Sequence, residues 1–547
     1  MFVAQMTPQV PVPEVAWSSF APELAPTATA LVLLLLIVAG RHRMVVAVPT
    51  AALALAVGAW LVTMDLVVPG AVTIALGAAA PALVLAFADR PSLIPPWGAG
   101  LSLVGALVLT LWQYAEVLAP AGGAIEPTTT LGGAVASDGI AFFTRLTVYL
   151  VALLVVPIGY GYLRDRGIHR GEVEPLILLA VVGMTFLGAA NDLITLFVSL
   201  EILSIALFVL TGLARRDRRS QESSLKYFIT GVVASTILLY GMALLYVATG
   251  SLSIPAIGGS LGLVTGPTIV PVAGLALVTV GIGFKVALAP FHLWAPDVYQ
   301  GAPTNITALM ATATKAAAFA ALLRLYLVAF PALEWLWVPM LATLAAATML
   351  YGAYLALVQG DIKRMLAYSS VTHAGYATIG VASNSAAGLS ATLWYLLTYG
   401  VASVAAFGCV IAVERTRRGE VTLTSLRGLG RTSPSVAGIL GLSLLSLAGI
   451  PLTAGFVGKL EVFRAGIAAG LTWLVVIGVL SSVVAAFFYL RIAGMMFLEE
   501  PDEAPELPVL SSGLTAGIAV SAVLVIYLGV QPQVFLQLAE NAAALVR

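Results

Sequence analysis

The sequence predicts an all-α polytopic membrane protein with about 14–16 transmembrane helices, and three observations predict it. First, of 547 residues 60% are hydrophobic and 10% charged, with a mean hydropathy of +1.03. Soluble domains carry roughly a quarter charged residues, so no stretch here is polar enough to form one. Second, apolar stretches of about 17–25 residues recur from end to end, each long enough to cross a hydrocarbon core roughly 30 Å thick. Third, basic residues fall in alternate loops.

In order, the apolar stretches place helices at about 24–40, 44–64, 68–88, 97–118, 138–160, 173–190, 192–213, 226–248, 271–299, 303–330, 337–358, 362–383, 387–413, 435–465, 469–497 and 511–531. Two of them, 271–299 and 435–465, run long and are interrupted at Pro290 and Pro451. Loop charges set the orientation. The segments RHR at 41–43, RDRGIHR at 164–170, RRDRR at 215–219, DIKR at 361–364 and ERTRRGE at 414–420, with Arg90, Arg427 and Arg431, put 17 of the 26 Lys and Arg residues on one face. The opposite face has only Arg464 and Arg547. The positive-inside rule makes the basic face cytoplasmic, with both termini outside and an even number of helices. The first 20 residues lack the basic start and cleavage site of a signal peptide, so they are expected to stay in the mature chain.

Composition also excludes functions. Net charge is zero, so no nucleic acid or other polyanion is expected as partner. A single cysteine, Cys409, excludes disulfides and a four-thiolate iron–sulfur cluster within the chain. His42 and His169 fall in loops and His292 and His373 in apolar spans, with nothing in the sequence to pair them around a haem. No glycine-rich nucleotide motif follows a strand. No cofactor is expected in this chain.

Ionisable residues inside the spans carry the functional signal. The chain has only five lysines, 226, 285, 315, 363 and 459. Lys363 is read as a loop residue, and the other four lie within apolar spans. Arginine keeps its charge, whereas a desolvated lysine can give up its proton, which a proton carrier needs. Glu201 is about nine residues, or roughly 14 Å, into its helix, near mid-membrane. Lys315 is central in its span, Lys285 lies one turn before Pro290, and Lys459 two turns beyond Pro451. A charge at the helix centre costs about 2.5–3.5 kcal/mol on insertion scales, so several of them point to an ion path. Plainer readings stand beside this one. Lys226 could snorkel to the cytoplasmic surface, Lys459 could join Glu461 and Arg464 in an outer cluster, and His292 and His373 could be packing histidines. Lys285, Lys315 and Glu201 could be static ion-pair partners, and Asp192, Asp297 and Asp361 read as caps or loop residues. Each proline frees backbone carbonyls, and such breaks at membrane depth line hydrated cavities in transporters.

GFKVALAPFHLWAPDVYQGAPT at 283–304, SLEILSIALFVLTG at 199–212, QESSLKYFITG at 221–231, DIKRMLAYSSVTHAGY at 361–376 and SLAGIPLTAGFVGK at 446–459 closely resemble the antiporter-like membrane subunits of respiratory complex I. The resemblance covers about residues 138–530. It implies a fourteen-helix fold with two inverted five-helix repeats, each containing one discontinuous helix. It divides the chain into N-terminal helices at 1–137 with a probable two-helix insertion, a preceding helix at 138–172, repeats at 173–330 and 331–500, and a C-terminal helix at 501–547. It implies a glutamate–lysine pair, Glu201 with Lys226, then Lys285, the connecting Lys315, and Lys459, with His292 and His373 in the matching motifs, as the proton-translocating chain. Lys459 stands where one paralogue has glutamate.

The implied function is proton translocation coupled to NADH-to-quinone electron transfer. NADH, FMN, iron–sulfur clusters and quinone would then belong to partner subunits, and the partners to be other complex I membrane subunits, adjacent antiporter-like and small ones, with lipid around them. The expected location is a bacterial inner membrane. The alternative is a subunit of a multi-subunit Na+/H+ antiporter. The resemblance departs before residue 138, where four helices stand in place of two.

Overall fold

The computed structural model describes residues 15–118, 125–263, 269–417, 421–501 and 510–543. Of the predicted charge pattern, Arg418 and Arg547 lie outside these residues, as does the start of the chain to residue 14. Helices α1 (Ala21–Ala39), α2 (Arg43–Thr63), α3 (Val67–Ala86), α4 (Ile94–Gln113) and α5 (Gly139–Asp165) come first, with a small antiparallel hairpin, β1 (Thr128–Thr130) and β2 (Val135–Ser137), between α4 and α5. Then follow α6 (Val173–Ala189), α7 (Leu193–Thr211), α8 (Arg218–Thr249), α9 (Ile254–Gly262), α10 (Ile269–Val286), α11 (Trp294–Gly301), α12 (Thr304–Ala311) and α13 (Ala313–Arg324). The remainder is α14 (Glu334–Leu357), α15 (Ile362–Ala382), α16 (Ala386–Arg417), α17 (Leu429–Thr432), α18 (Pro434–Ala448), α19 (Ala454–Ala468), α20 (Thr472–Leu498), α21 (Ser512–Val530) and α22 (Gln533–Asn541).

Among the described residues thirteen helical stretches are long and apolar enough to cross a membrane. The other three predicted spans coincide with α6, α15 and the α18–α19 pair, so every predicted span has its helix. The stretches Thr304–Ala329 and Ala386–Arg415 are completely enclosed, and the rest of the fold is built around them. By contrast the α2–α3 hairpin is largely exposed and sits at the edge of the fold.

The repeat is visible in local structure. Asp192 caps α7, accepting from Thr195 N at 2.8 Å, and forms an isolated antiparallel bridge with Ser253. Asp361 caps α15, accepting from Arg364 N at 2.8 Å, and bridges Thr422 in the same way. Both members of the second bridge stand 169 positions after those of the first, at 361 against 192 and 422 against 253. Gly183 meets Leu203 N and Ser199 O so closely that a Cβ would lie 2.6 and 2.8 Å from them, and Gly352 meets Thr372 N and Tyr368 O at 2.8 and 3.0 Å with the same offset. Between Asp192 and Asp361 the chain crosses five times, through α7, α8, α10–α11, α12–α13 and α14, so the two copies of the motif lie on opposite faces. The fold therefore contains two inverted five-helix repeats.

Each repeat has one broken helix, as the prolines predict. α10 stops at Val286 and α11 begins at Trp294, with Ala287 at φ 62° in the gap. α18 stops at Ala448 and α19 begins at Ala454, with Gly449 at φ 85° and Leu452 at φ 71°. Carbonyls released by a break must find other donors. Phe284 O accepts from the Trp294 indole at 3.0 Å, and Ala448 O accepts from Lys459 Nζ at 2.8 Å. The second break thus builds part of the lysine's own site. A third interruption, at Thr312 between α12 and α13, was not predicted. Neither Pro nor Gly marks it, and the Thr312 hydroxyl bonds back to Ala308 O at 2.6 Å.

Candidate ion-translocation site

Three lysines, Lys285, Lys315 and Lys459, and His373 are buried inside the fold. Lys285, at the end of α10, is 3% exposed and donates to Ser204 Oγ at 2.8 Å and Tyr227 Oη at 3.2 Å. Its ammonium also lies over the rings of Tyr227 and Phe208, at 5.2 and 5.9 Å. Lys315, on α13, is 2% exposed and donates to Ser370 O on α15. Lys459, on α19, donates to Ala448 O and Ser482 Oγ, both at 2.8 Å, and lies 4.9 Å over the Tyr376 ring. All three have hydroxyl or carbonyl partners and, among the described residues, no carboxylate within salt-bridge distance.

His373 joins the second and third of these lysines. Its Nδ1 is 2.5 Å from Tyr395 Oη and its Nε2 3.2 Å from Tyr489 Oη. Tyr489 is bonded in turn to Ser369, the neighbour in sequence of the Ser370 that receives Lys315. Tyr376, beside Lys459, accepts from Ser481 Oγ at 3.1 Å and packs edge-on to Tyr395. Helix α15 supplies Ser369, Ser370, His373 and Tyr376, which explains why it is too polar to register as a simple membrane span.

His292, in the first break, is buried with its ring edge-on to Tyr351 at 5.0 Å, and neither ring nitrogen has a hydrogen-bond partner. Among the described residues no hydrogen bond joins Lys285 to Lys315. The polar atoms Asn305 Oδ1, Thr314 Oγ1 and Ser370 Oγ in this zone are likewise buried without a protein partner. Buried polar atoms of this kind are ordinarily satisfied by water.

On the basic face a polar cavity of about 400 Å³ is lined by Tyr162, Arg166, Asp217, Arg219, Lys363 and Glu414, among others. Lys363 is not a loop residue. It is the second residue of α15, buried, and donates to Ala302 O at 2.7 Å while Glu414 stands 3.9 Å away. The predicted span at 362–383 already held this residue; counting DIKR at 361–364 among the loop charges is what made it read as a loop lysine.

A family model described as NADH:quinone oxidoreductase/Mrp antiporter, transmembrane, matches residues 190–485. NADH-quinone oxidoreductase subunit N of a Parafrankia species is 44% identical over 485 residues, which cover 84% of this chain and 91% of that one. Subunit N of Rhodococcus opacus is 49% identical over 379 residues, 69% and 70% of the two chains. The chain belongs to the NADH-quinone oxidoreductase subunit N family. Among solved structures, a chain of respiratory complex I from Thermus thermophilus with bound aureothin is 35% identical with a TM-score of 0.70, covering 85% of this chain and 98% of that one. A chain of the Mrp complex from a Dietzia species is 25% identical with a TM-score of 0.74, covering 86% and 96%.

Within this subunit N-type fold, the structure brings Lys315, His373 and Lys459 together and places Lys285 against α7 and α8. It does not join Glu201 to Lys226. Lys226, half-exposed in the first third of α8, instead donates to Asp297 Oδ2 and pairs with Glu222, both at 2.7 Å. Glu201 leaves its Oε1 buried without a hydrogen bond and acts electrostatically on Lys285. Asp297, read from sequence as a cap or loop residue, is a junction: it also accepts from Arg364 Nη1 at 2.6 Å, tying α8 of the first repeat to α15 of the second. Arg464 pairs with Glu461 at 3.0 Å, and Lys459 turns inward away from both. The tyrosines 227, 376, 395 and 489 were missed altogether. Their signal was a polar aromatic inside an apolar span, but single tyrosines are common at such places and only tertiary contact separates these from the rest.

Proposed function

We propose that this chain works as the proton-translocating membrane subunit of a bacterial inner-membrane NADH:quinone oxidoreductase, with no redox step of its own. NADH, FMN, iron–sulfur clusters and quinone are then handled by partner subunits, and other complex I membrane subunits flank this one. The observation that carries the reading is that Lys285, Lys315 and Lys459 are buried with neutral partners. A static ion pair would place a carboxylate against each, since a buried unpaired charge is costly. A carbonyl oxygen accepts from an ammonium or from the N–H of a neutral amine, and a hydroxyl can also donate to the amine's lone pair, so none of the three sites requires the charged form.

The proposed path starts at the cytoplasmic cavity floored by Lys363 and Glu414. Release of Lys226 from Asp297 toward Glu201 changes the field on Lys285. The proton then passes by way of His292 and Lys315 to His373 and Lys459 and leaves on the outer face, with water bridging the gaps. The reading of residues 173–330 and 331–500 as the two functional halves belongs to the same proposal.

NADH-driven proton pumping in sealed inverted vesicles tests it. With Lys285→Ala, assembly on native gels should persist while quinone reduction and pumping both fall; wild-type values for both would remove Lys285 from the path. The likeness to the Mrp complex favours a second reading, a Na+/H+ antiporter subunit. Sodium-dependent proton exchange in vesicles without NADH would support it, and so would an absence of neighbouring genes for nucleotide- and quinone-binding subunits.

A further inference from the structure

Two neighbouring cavities that the ion path does not use lie among the four N-terminal helices and the loop between α5 and α6. The larger, about 590 Å³, runs between α1, α4 and the α2–α3 hairpin, and its walls are almost wholly apolar. It extends along α1 from Ala21 to Leu36, roughly 22 Å at the helical rise, which is the depth of one leaflet or more. The smaller, about 230 Å³, sits on the basic face directly above and shares Leu33, Leu36 and Ile94 with it. Arg43, Ser92, His169 and Arg170 line this second cavity, and no carboxylate does.

Its surroundings are electropositive in backbone as well as side chain. Helix α2 begins here, at Arg43, and a helix start favours anions; α4 also begins here, but Pro95 and Pro96 remove N–H donors from its first turn, and the start of α6 already carries Glu172 and Glu174. Among the described residues neither Arg43 nor Arg170 takes part in an ion pair, while His169 is held by Glu174 at 2.9 Å. Ser92 is fixed by Tyr160 Oη at 3.1 Å. A basic pocket at headgroup level beside an apolar groove at acyl-chain depth has the two-part chemistry of one ligand class.

We propose that this is a binding site for an anionic phospholipid, its phosphate between Arg43 and Arg170 and an acyl chain in the groove. The α2–α3 hairpin then serves to wall in a lipid, which gives the N-terminal departure a role independent of proton transfer.

The test uses the assembled membrane complex in detergent, with phosphatidylglycerol and phosphatidylcholine carrying the same photoreactive acyl chain. Phosphatidylglycerol should label peptides of α1 and α4 severalfold more than phosphatidylcholine. The Arg43→Ala/Arg170→Ala double variant should lower that labelling roughly tenfold or more, since each basic residue at a membrane surface contributes about a factor of five, and Arg43→Lys/Arg170→Lys should retain most of it. Equal labelling by the two lipids in the wild-type complex, which requires no variant to fold, overturns the proposal. So does undiminished labelling in an assembled double-alanine variant. Competition by inorganic phosphate would identify a free-anion pocket and also overturn the lipid assignment, whereas no competition supports it. If the double variant does not assemble, Thr73→Trp, which fills the groove, should abolish labelling by either lipid.

Discussion

Helix α13 has two buried cations nine residues apart, and they are treated in opposite ways. Arg324 is fully enclosed and grips Asp138 with two parallel bonds, at 2.7 and 2.8 Å, with a third to Gly188 O. Arg145, on α5, is held likewise by Glu23 at 2.5 Å, Gln113 at 2.7 Å and Ser19 O at 3.0 Å. Lys315 is met only by a carbonyl. A guanidinium cannot shed its charge, so burying it demands a carboxylate and yields a fixed joint. An amine among neutral partners is a group whose charge can change. The two arginine sites tie α1, α4, α5 and α13 into a frame, and the lysines occupy the axis that the frame holds open.

That contrast can be broken most severely at the frame. Arg324→Met strands a buried carboxylate and should cost about 3–5 kcal/mol, enough to abolish assembly on native gels or lower Tm sharply. Normal assembly and Tm would show that the pair is not structural. Next comes the axis. Lys315→Ala should leave assembly intact and cut NADH-driven pumping by about tenfold or more, and Lys315→Arg should be no better, because it restores charge without proton exchange. Full activity of the arginine variant would mean that charge alone is needed there. A smaller effect is expected at the junction of the repeats: Asp297→Asn, which frees half-exposed Lys226 and Arg364, should lower pumping roughly two- to fivefold with little change in stability. Tyr489→Phe, which removes one bond to His373, should reduce pumping about two- to threefold, read against Tm to exclude a packing effect. Glu461→Gln, on the outer surface, should be indistinguishable from wild type in both assays.

Sequence revealed the parts that depend on chain-local physics. Hydropathy located the spans, Pro290 and Pro451 located the breaks, and the scarcity of lysine pointed to 285, 315 and 459. What remained hidden depends on which side chains meet across the fold. Asp297 and Lys226 lie 71 residues apart in the chain, and Arg324 and Asp138 lie 186 apart. Nothing in their neighbours announces either pairing. Glu23 escaped notice for the same reason: a carboxylate at the start of an apolar helix is unremarked until its arginine is found 122 residues away. The Thr312 break was silent because a hydroxyl interrupted the helix where no glycine or proline stood.

The 169-residue echo of Asp192 and Ser253 in Asp361 and Thr422 has a consequence for ancestry. A unit with an odd number of crossings that is copied head to tail has to enter the bilayer upside down the second time. One unit used twice thus sets the same Asp-capped helix and bridge at each face of the membrane. What tells the two faces apart is the side chains: Glu201 in one copy stands where the other has Ser370, and Ser204 where the other has His373.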